Sequence, residues 1–133
     1  MAFMKFKPIA SILNFKSTIA VNDLPKDVEQ YLVADEKVML AFKSRRDIGI
    51  FTDCRILLID KQGIRGFRRT ISSVNYHSIA SYSLNVRHID SYIELVLNSG
   101  HKLLLKFSKP IPLDDMFVIY KYITHFILKE TKQ

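Results

Sequence analysis

Six basic side chains, Lys43, Arg45, Arg46, Arg65, Arg68 and Arg69, fall in two short clusters about twenty residues apart. The planar guanidinium of arginine bonds two oxygens of one phosphate or carboxylate at once, so these clusters suit an anionic ligand. The plainer account of the same residues is a solvated charged edge that deters sheet-to-sheet aggregation. Catalytic chemistry has less to work with. His77, His88, His101 and His125 are scattered, no pair has metal-ligand spacing on one element, and no Ser/His/Asp order is recognisable. Cys54 is the single cysteine. It cannot form an internal disulfide or build a cysteine zinc site, and its apolar neighbours suggest a buried structural thiol. Four glycines leave no loop to cradle a phosphate. The chain is expected to be non-enzymatic and to carry neither cofactor nor metal.

Both basic clusters lie at turns of a β-meander. Val38, Leu40 and Phe42 alternate with Met39 and Ala41, and Ile48 and Ile50 resume after an Arg45-Arg46-Asp47 turn. Cys54 to Ile59 is nearly all apolar, as in a strand covered on both faces. Lys61-Gln62-Gly63 closes a hairpin in which Gly63 supplies a positive φ, and a fourth strand is expected from Ile64 to Thr70. Ala80, Tyr82, Leu84 and Val86 alternate with Ser81, Ser83 and Asn85. Tyr92–Leu97 and Leu103–Phe107 flank Asn98-Ser99-Gly100, a compact hairpin signal. About seven antiparallel strands at this spacing predict a β-sandwich or partly open barrel.

The period then changes. Met116, Ile119, Tyr120, Ile123, Phe126 and Ile127 recur at helical spacing after Pro112, with Asp114 and Asp115 in the first turn and Lys129 near the end. A helix from Leu113 to Lys129 is expected to close one end of the sheets. Ile9, Ile12, Leu13, Ile19 and Ala20 also fit a helical face, and Pro25 to Leu32 a second short helix. Residues 1–34 therefore read as a helical N-terminal segment ahead of a domain spanning 35–130. Phe3, Phe6, Ile9, Ile12 and Leu13 with Lys5, Lys7 and Lys16 would suit an interfacial amphipathic helix, although Pro8 interrupts it. The alternative is that this segment folds back on the domain or packs between subunits.

The 133 residues, 48% apolar and 25% charged, make one folded domain. No apolar run reaches the roughly 18 residues of a membrane span. Asn14 and Lys16 interrupt the apolar N-terminus and no A-x-A-like site follows, so it reads as retained. Together with the lone cysteine this indicates a cytoplasmic protein. The net charge is +7, and residues 42–70 carry eight basic against three acidic side chains. That balance favours an anionic partner, nucleic acid or phospholipid, and at the same time it suits plain solubility.

Glu36–Lys43 (EKVMLAFK), Arg46-Asp47, Phe51-Thr52, Arg55, Asp60-Lys61-Gln62-Gly63 with Gly66 behind it, and Tyr76-His77-Ser78-Ile79 form an ordered series that resembles the bacterial pleckstrin-homology (PH) domain family over roughly residues 30–128. The resemblance implies a small stand-alone β-domain with one C-terminal helix, no enzymatic activity, and assembly into homo-oligomeric rings. Eukaryotic PH domains bind phosphoinositides through the loop where Lys43, Arg45 and Arg46 stand here. An anionic phospholipid at the inner membrane face is the corresponding expectation for a bacterial protein. Asn75 departs from the pattern, standing where the family commonly has proline. Arg46-Asp47, Arg55 and Asp60–Gly63 read as structural, with Arg55 beside Arg46-Asp47 across the sheet.

If Ile93, Leu95, Leu97, Leu103, Leu105 and Phe107 line the core, then Tyr92, Val96 and Leu104 point outward. Phe51, opposite to Ile50, joins them, as do Val118 and Tyr122 on the helix. An exposed apolar set of that size marks an interaction surface. The expected partner is another copy of the chain in a cyclic homo-oligomer, with an anionic phospholipid or a protein as further partners. A nucleic-acid-associated protein is the alternative. Phe67 among Arg65, Arg68 and Arg69 is its only support, so nucleic acid is the less favoured partner.

Overall fold

A computed structural model describes residues 10–45, 47–62 and 68–129. Nine strands and one α-helix follow in order: β1 Ala10–Phe15, β2 Ser17–Thr18, β3 Val38–Lys43, β4 Asp47–Thr52, β5 Arg55–Gln62, β6 Arg68–Asn75, β7 Ile79–Asn85, β8 Ser91–Leu97, β9 Lys102–Phe107 and α1 Leu113–Leu128. The four-stranded sheet runs β1-β9-β8-β7 and the five-stranded sheet β2-β3-β4-β5-β6. The strands from β3 to β9 are the meander read from the sequence. The fourth of them, β6, lies further along than the expected 64–70, and residues 63–67, Gly63 included, are outside the described residues.

The N-terminal helical segment is a correction. Residues 10–15 form a strand parallel to β9, with Leu13 opposite Leu105 and Phe15 opposite Phe107. Ile9 lies outside the described residues. Over six residues, apolar positions at 12, 13 and 15 satisfy a helical face and a pleat equally. The unpaired edge of β9 decides between them, because β1 satisfies its backbone groups. Two 3₁₀ helices follow, Val21–Asp23 and Lys26–Tyr31, the second where the short helix from Pro25 to Leu32 is expected.

The two sheets enclose one core. Phe15, Phe42, Phe51 and Phe107 meet there at tilted or edge-on angles, with ring centres 5.2–6.1 Å apart. Phe15 also rules the sequence of β4: a Cβ on Gly49 would stand 2.5 Å from its Cζ. α1 closes this core with Met116, Ile119, Ile123 and Phe126, and Phe126 stacks on Tyr76 at 4.8 Å. Tyr120 is instead part-exposed, resting on Tyr82 at 5.3 Å.

A second, smaller core lies on the other side of the five-stranded sheet. Ala41, Ile48, Ile50, Leu57 and Ile59 are buried under Val28, with Ile19, Leu24, Tyr31 and Leu32 packed around it. Residues 19–32 therefore fold back over the domain. β5 is apolar on both faces because both are covered: Ile56 and Leu58 face one core, Leu57 and Ile59 the other.

Two bulges disturb the simple alternation. A register shift between Val38 and Leu40 puts Val38 in the outer core while Leu40 and Phe42 face the inner one. A second, between Ile79 and Ser81, leaves Ala80 exposed while Tyr82 and Leu84, expected on the same face, pack against the core. The Asn98-Ser99-Gly100 hairpin forms as expected, with Gly100 at φ +88°.

Candidate ligand and interaction surfaces

Register brings the strand ends that carry Lys43 and Arg69 to one end of the five-stranded sheet. Asp47 at the start of β4 pairs with Asp60 late in β5, and Asp60 pairs with Thr70 early in β6. The β3–β4 turn and the β5–β6 connection therefore leave the sheet side by side. Lys43 and Arg45 are exposed there. Arg46, Arg65 and the side chain of Arg68 lie outside the described residues. Arg69 is already engaged: its guanidinium forms an ion pair with Asp27 of the covering segment. Nearby, Asp47, Asp60 and His101 line a cleft of about 430 Å³ between the sheets.

Arg55 is not beside Asp47. It sits at the far end of β5, opposite Asn75, and organises a different cluster. Its Nε and Nη2 each lie 3.0 Å from a carboxylate oxygen of Glu36, a side chain wholly withdrawn from solvent. The same guanidinium donates to the carbonyl of Tyr31 and to Ser73 Oγ at 2.7 Å. Thr52, fully buried, shares its hydroxyl proton between Glu36 Oε2 and the Arg55 carbonyl, and accepts from the amides of Cys54 and Arg55. Burial pushes the Glu36 carboxyl up, but bonds from Arg55, Thr52 and the Val33 amide, with the Arg55 charge, outweigh it. The net effect holds Glu36 below its ordinary value. Tyr76 Oη donates to the Thr52 carbonyl at 2.7 Å, and burial pushes its phenol up. Glu36, Thr52, Arg55 and Tyr76 thus form one bracket that fastens the covering segment to the sheet, and the structural reading of Arg55 stands.

Asn75 keeps what a proline would supply at its position, φ −71°. It adds a bond that proline cannot make, its Oδ1 accepting from the His77 amide at 2.9 Å.

Cys54 corrects a second expectation. It is exposed in the β4–β5 turn, and its thiol, which donates to Asp53 at 3.3 Å, is pushed up by partial desolvation and by that carboxylate. A thiol so disposed is a poor nucleophile. Among the described residues no cluster of three or more histidine, cysteine or acidic side chains could hold a metal ion, and no helix is long and apolar enough to cross a membrane.

Of the expected interface residues, Phe51 is wrong: it is fully buried in the inner core. It does point opposite to Ile50, but the face it points to is the inter-sheet side, and Ile50 is covered by residues 19–32. Tyr122 is half-buried, packed on the inner core and stacked on Phe126 at 6.1 Å. Val118 is exposed. Tyr92, Val96 and Leu104 are part-exposed, belong to neither core and share the outer face of the four-stranded sheet. Ile12, 57% exposed and in register with Leu104, extends that face; the helical reading of β1 hid it.

These features can be set beside known proteins. The fold overlays a pleckstrin-homology-domain protein of Shewanella loihica with a TM-score of 0.74 at 26% identity, over 84% of this chain and 97% of the other. A pleckstrin homology domain from Shewanella amazonensis overlays with a TM-score of 0.64 at 26% identity, over 85% and 92%. An uncharacterized Bacillus subtilis protein, YjqA, is 38% identical over 76 residues, which is 57% of this chain and 61% of that protein's length. The Bacterial PH domain family matches residues 9–128, taking in β1 and the covering segment as well as the meander and α1. The chain belongs to the bacterial PH domain family.

Proposed function

We propose that the protein is a non-enzymatic scaffolding module that associates with copies of itself through the outer face of the four-stranded sheet, and that it presents the basic end of the five-stranded sheet to an anionic phospholipid surface. One contrast carries the self-association. The outer face of the five-stranded sheet is covered by the chain's own residues 19–32, whereas Ile12, Tyr92, Val96 and Leu104 on the other sheet remain part-exposed. Apolar side chains gathered on one sheet face and left without a cover from the same chain mark an interaction surface. Lys102, Lys106 and Glu94 stand among these residues on the same strands and provide the polar setting common at the margin of an interface. A cyclic arrangement of heterologous contacts closes such an assembly without open edges.

The membrane part rests on Lys43 and Arg45 standing exposed where two basic connections leave the sheet together.

Light scattering coupled to gel filtration tests the first part. The wild type should elute as a discrete oligomer, and a Val96→Glu, Leu104→Glu double variant as a folded monomer. A wild type that stays monomeric at high concentration would end the reading. Co-sedimentation with phosphatidylglycerol vesicles tests the second. Binding should fall with salt and vanish in Lys43→Glu, Arg45→Glu; binding that survives both changes would place the contact elsewhere.

A further inference from the structure

A second cleft lies apart from the residues considered so far, where the β7–β8 connection meets the β9–α1 connection. It encloses about 600 Å³, within the size range of sites for small organic ligands. Its floor is apolar and well packed: Phe107, Ile111 and Met116 are each at most 5% exposed. Its rim is cationic. Arg87 and His88 stand on one side and Lys109 on the other, all exposed, with Asp90 as the one acidic side chain lining it.

The rim is held in place by its backbone. The buried hydroxyl of Ser91 accepts from the Arg87 amide at 2.9 Å and donates to the Arg87 carbonyl at 3.0 Å, which closes the turn on itself. Asp90 completes that turn at φ +56°, a conformation aspartate tolerates better than most residues. The Arg87 guanidinium stands 5.9 Å from the centre of the Tyr92 ring, within reach of a cation–π contact. Opposite, the Ser108 amide donates to the Phe15 carbonyl and the Ile111 amide to the Ser108 carbonyl, each at 2.9 Å, fixing the stretch that carries Lys109.

We propose that this cleft binds a small amphipathic anion, a single carboxylate or phosphate held at the rim by Arg87 and Lys109 with an apolar body on Phe107, Ile111 and Met116. The charge count limits the headgroup. Two permanent cations face one carboxylate, Asp90, at the rim. A polyphosphate would outweigh that small positive balance, whereas a group of one or two charges is matched. The lining limits the body, since a fully hydrated inorganic ion leaves the apolar floor unused.

Isothermal titration with decanoate, kept below its micellar range, tests the site, with inorganic phosphate and phosphatidylglycerol vesicles as parallel arms. Decanoate should bind one per chain and more tightly than phosphate. An Arg87→Glu, Lys109→Glu variant should weaken it at least tenfold. Val86→Trp, a change at the exposed margin that fills the cleft without altering its charge, should weaken it comparably, while circular dichroism shows both variants folded. Vesicle binding lost in both variants, without decanoate binding, would assign the same site to a lipid headgroup. Decanoate binding unaffected by either variant, or no binding of decanoate and vesicles alike, would overturn the proposal. The decanoate arm contains no membrane and reads no oligomer, so its outcome is separate from that of the self-association reading.

Discussion

The two sheets of this molecule treat their outer faces in opposite ways. The five-stranded sheet carries Ala41, Ile48, Ile50, Leu57 and Ile59 outward and buries them under residues 19–32. The four-stranded sheet carries Ile12, Tyr92, Val96 and Leu104 outward and leaves them part-exposed. The first face is closed by a segment built on two 3₁₀ turns, with neither a strand nor an α-helix of its own beyond residue 18. It stays in place through Val28 in the apolar layer and through two arginines, Arg55 holding the Tyr31 carbonyl and Arg69 holding Asp27. The comparison teaches that a strand apolar on both faces does not by itself announce an interface. What matters is whether the same chain supplies a cover.

Substitutions at matched positions separate the two faces. Ile50→Asp puts a carboxylate in a fully covered layer, and unfolding in urea should show a loss above about 4 kcal/mol, or no folded protein at all. Arg55→Ala strands Glu36 without its partner. Arg55 keeps some solvent contact, so a loss of about 3 kcal/mol is expected, together with faster amide exchange across residues 19–32. Gly49→Ala should cost about 1–3 kcal/mol by the same measurement, because the Phe15 ring it strikes is wedged between Phe42 and Phe107 and has nowhere to turn. Acid sharpens the view of the bracket. Glu36 titrates below its unfolded value, so its contribution is present above roughly pH 4.3 and is lost as the pH falls through the folded value. Glu36→Gln should lower stability at pH 7 and flatten that part of the acid-unfolding curve. On the uncovered face, Leu104→Glu should change monomer stability by no more than about 0.5 kcal/mol, while the molar mass in solution drops. A large stability loss there would mean that the face is covered after all.

Much of this architecture was legible because local signals agreed with one another. The apolar runs of β8 and β9, the glycine turn between them and the change of period at Pro112 each name one element without help from the rest of the chain. The structural reading of Arg55 was also sound, but its partner Glu36 lies across a strand pair and two turns, and nothing local connects them. The N-terminus failed for the same kind of reason. Ile12, Leu13 and Phe15 look helical until the free edge of β9 is placed beside them. Phe51 failed because facing away from Ile50 was taken to mean facing water, which holds for a single-layered sheet and not for a strand between two cores. The bulges at residues 38–40 and 79–81 have no glycine or proline to mark them, and Cys54 took its assignment from the apolar run it only borders. For the basic end, register showed that the start of β4 and the end of β5 lie side by side, a relation that neither carries in its own sequence.

The pairing of β1 with β9 has a consequence for how the chain is made. The six residues of β1 are synthesised before the meander, and their partner β9 follows some ninety positions later. Closing so long a loop is slow relative to forming hairpins. Until β9 emerges, Leu13 and Phe15 have no neighbour to pair with. The meander from β3 to β8 can assemble meanwhile from contacts close in the chain, so a strand made before the meander is placed to lock after it.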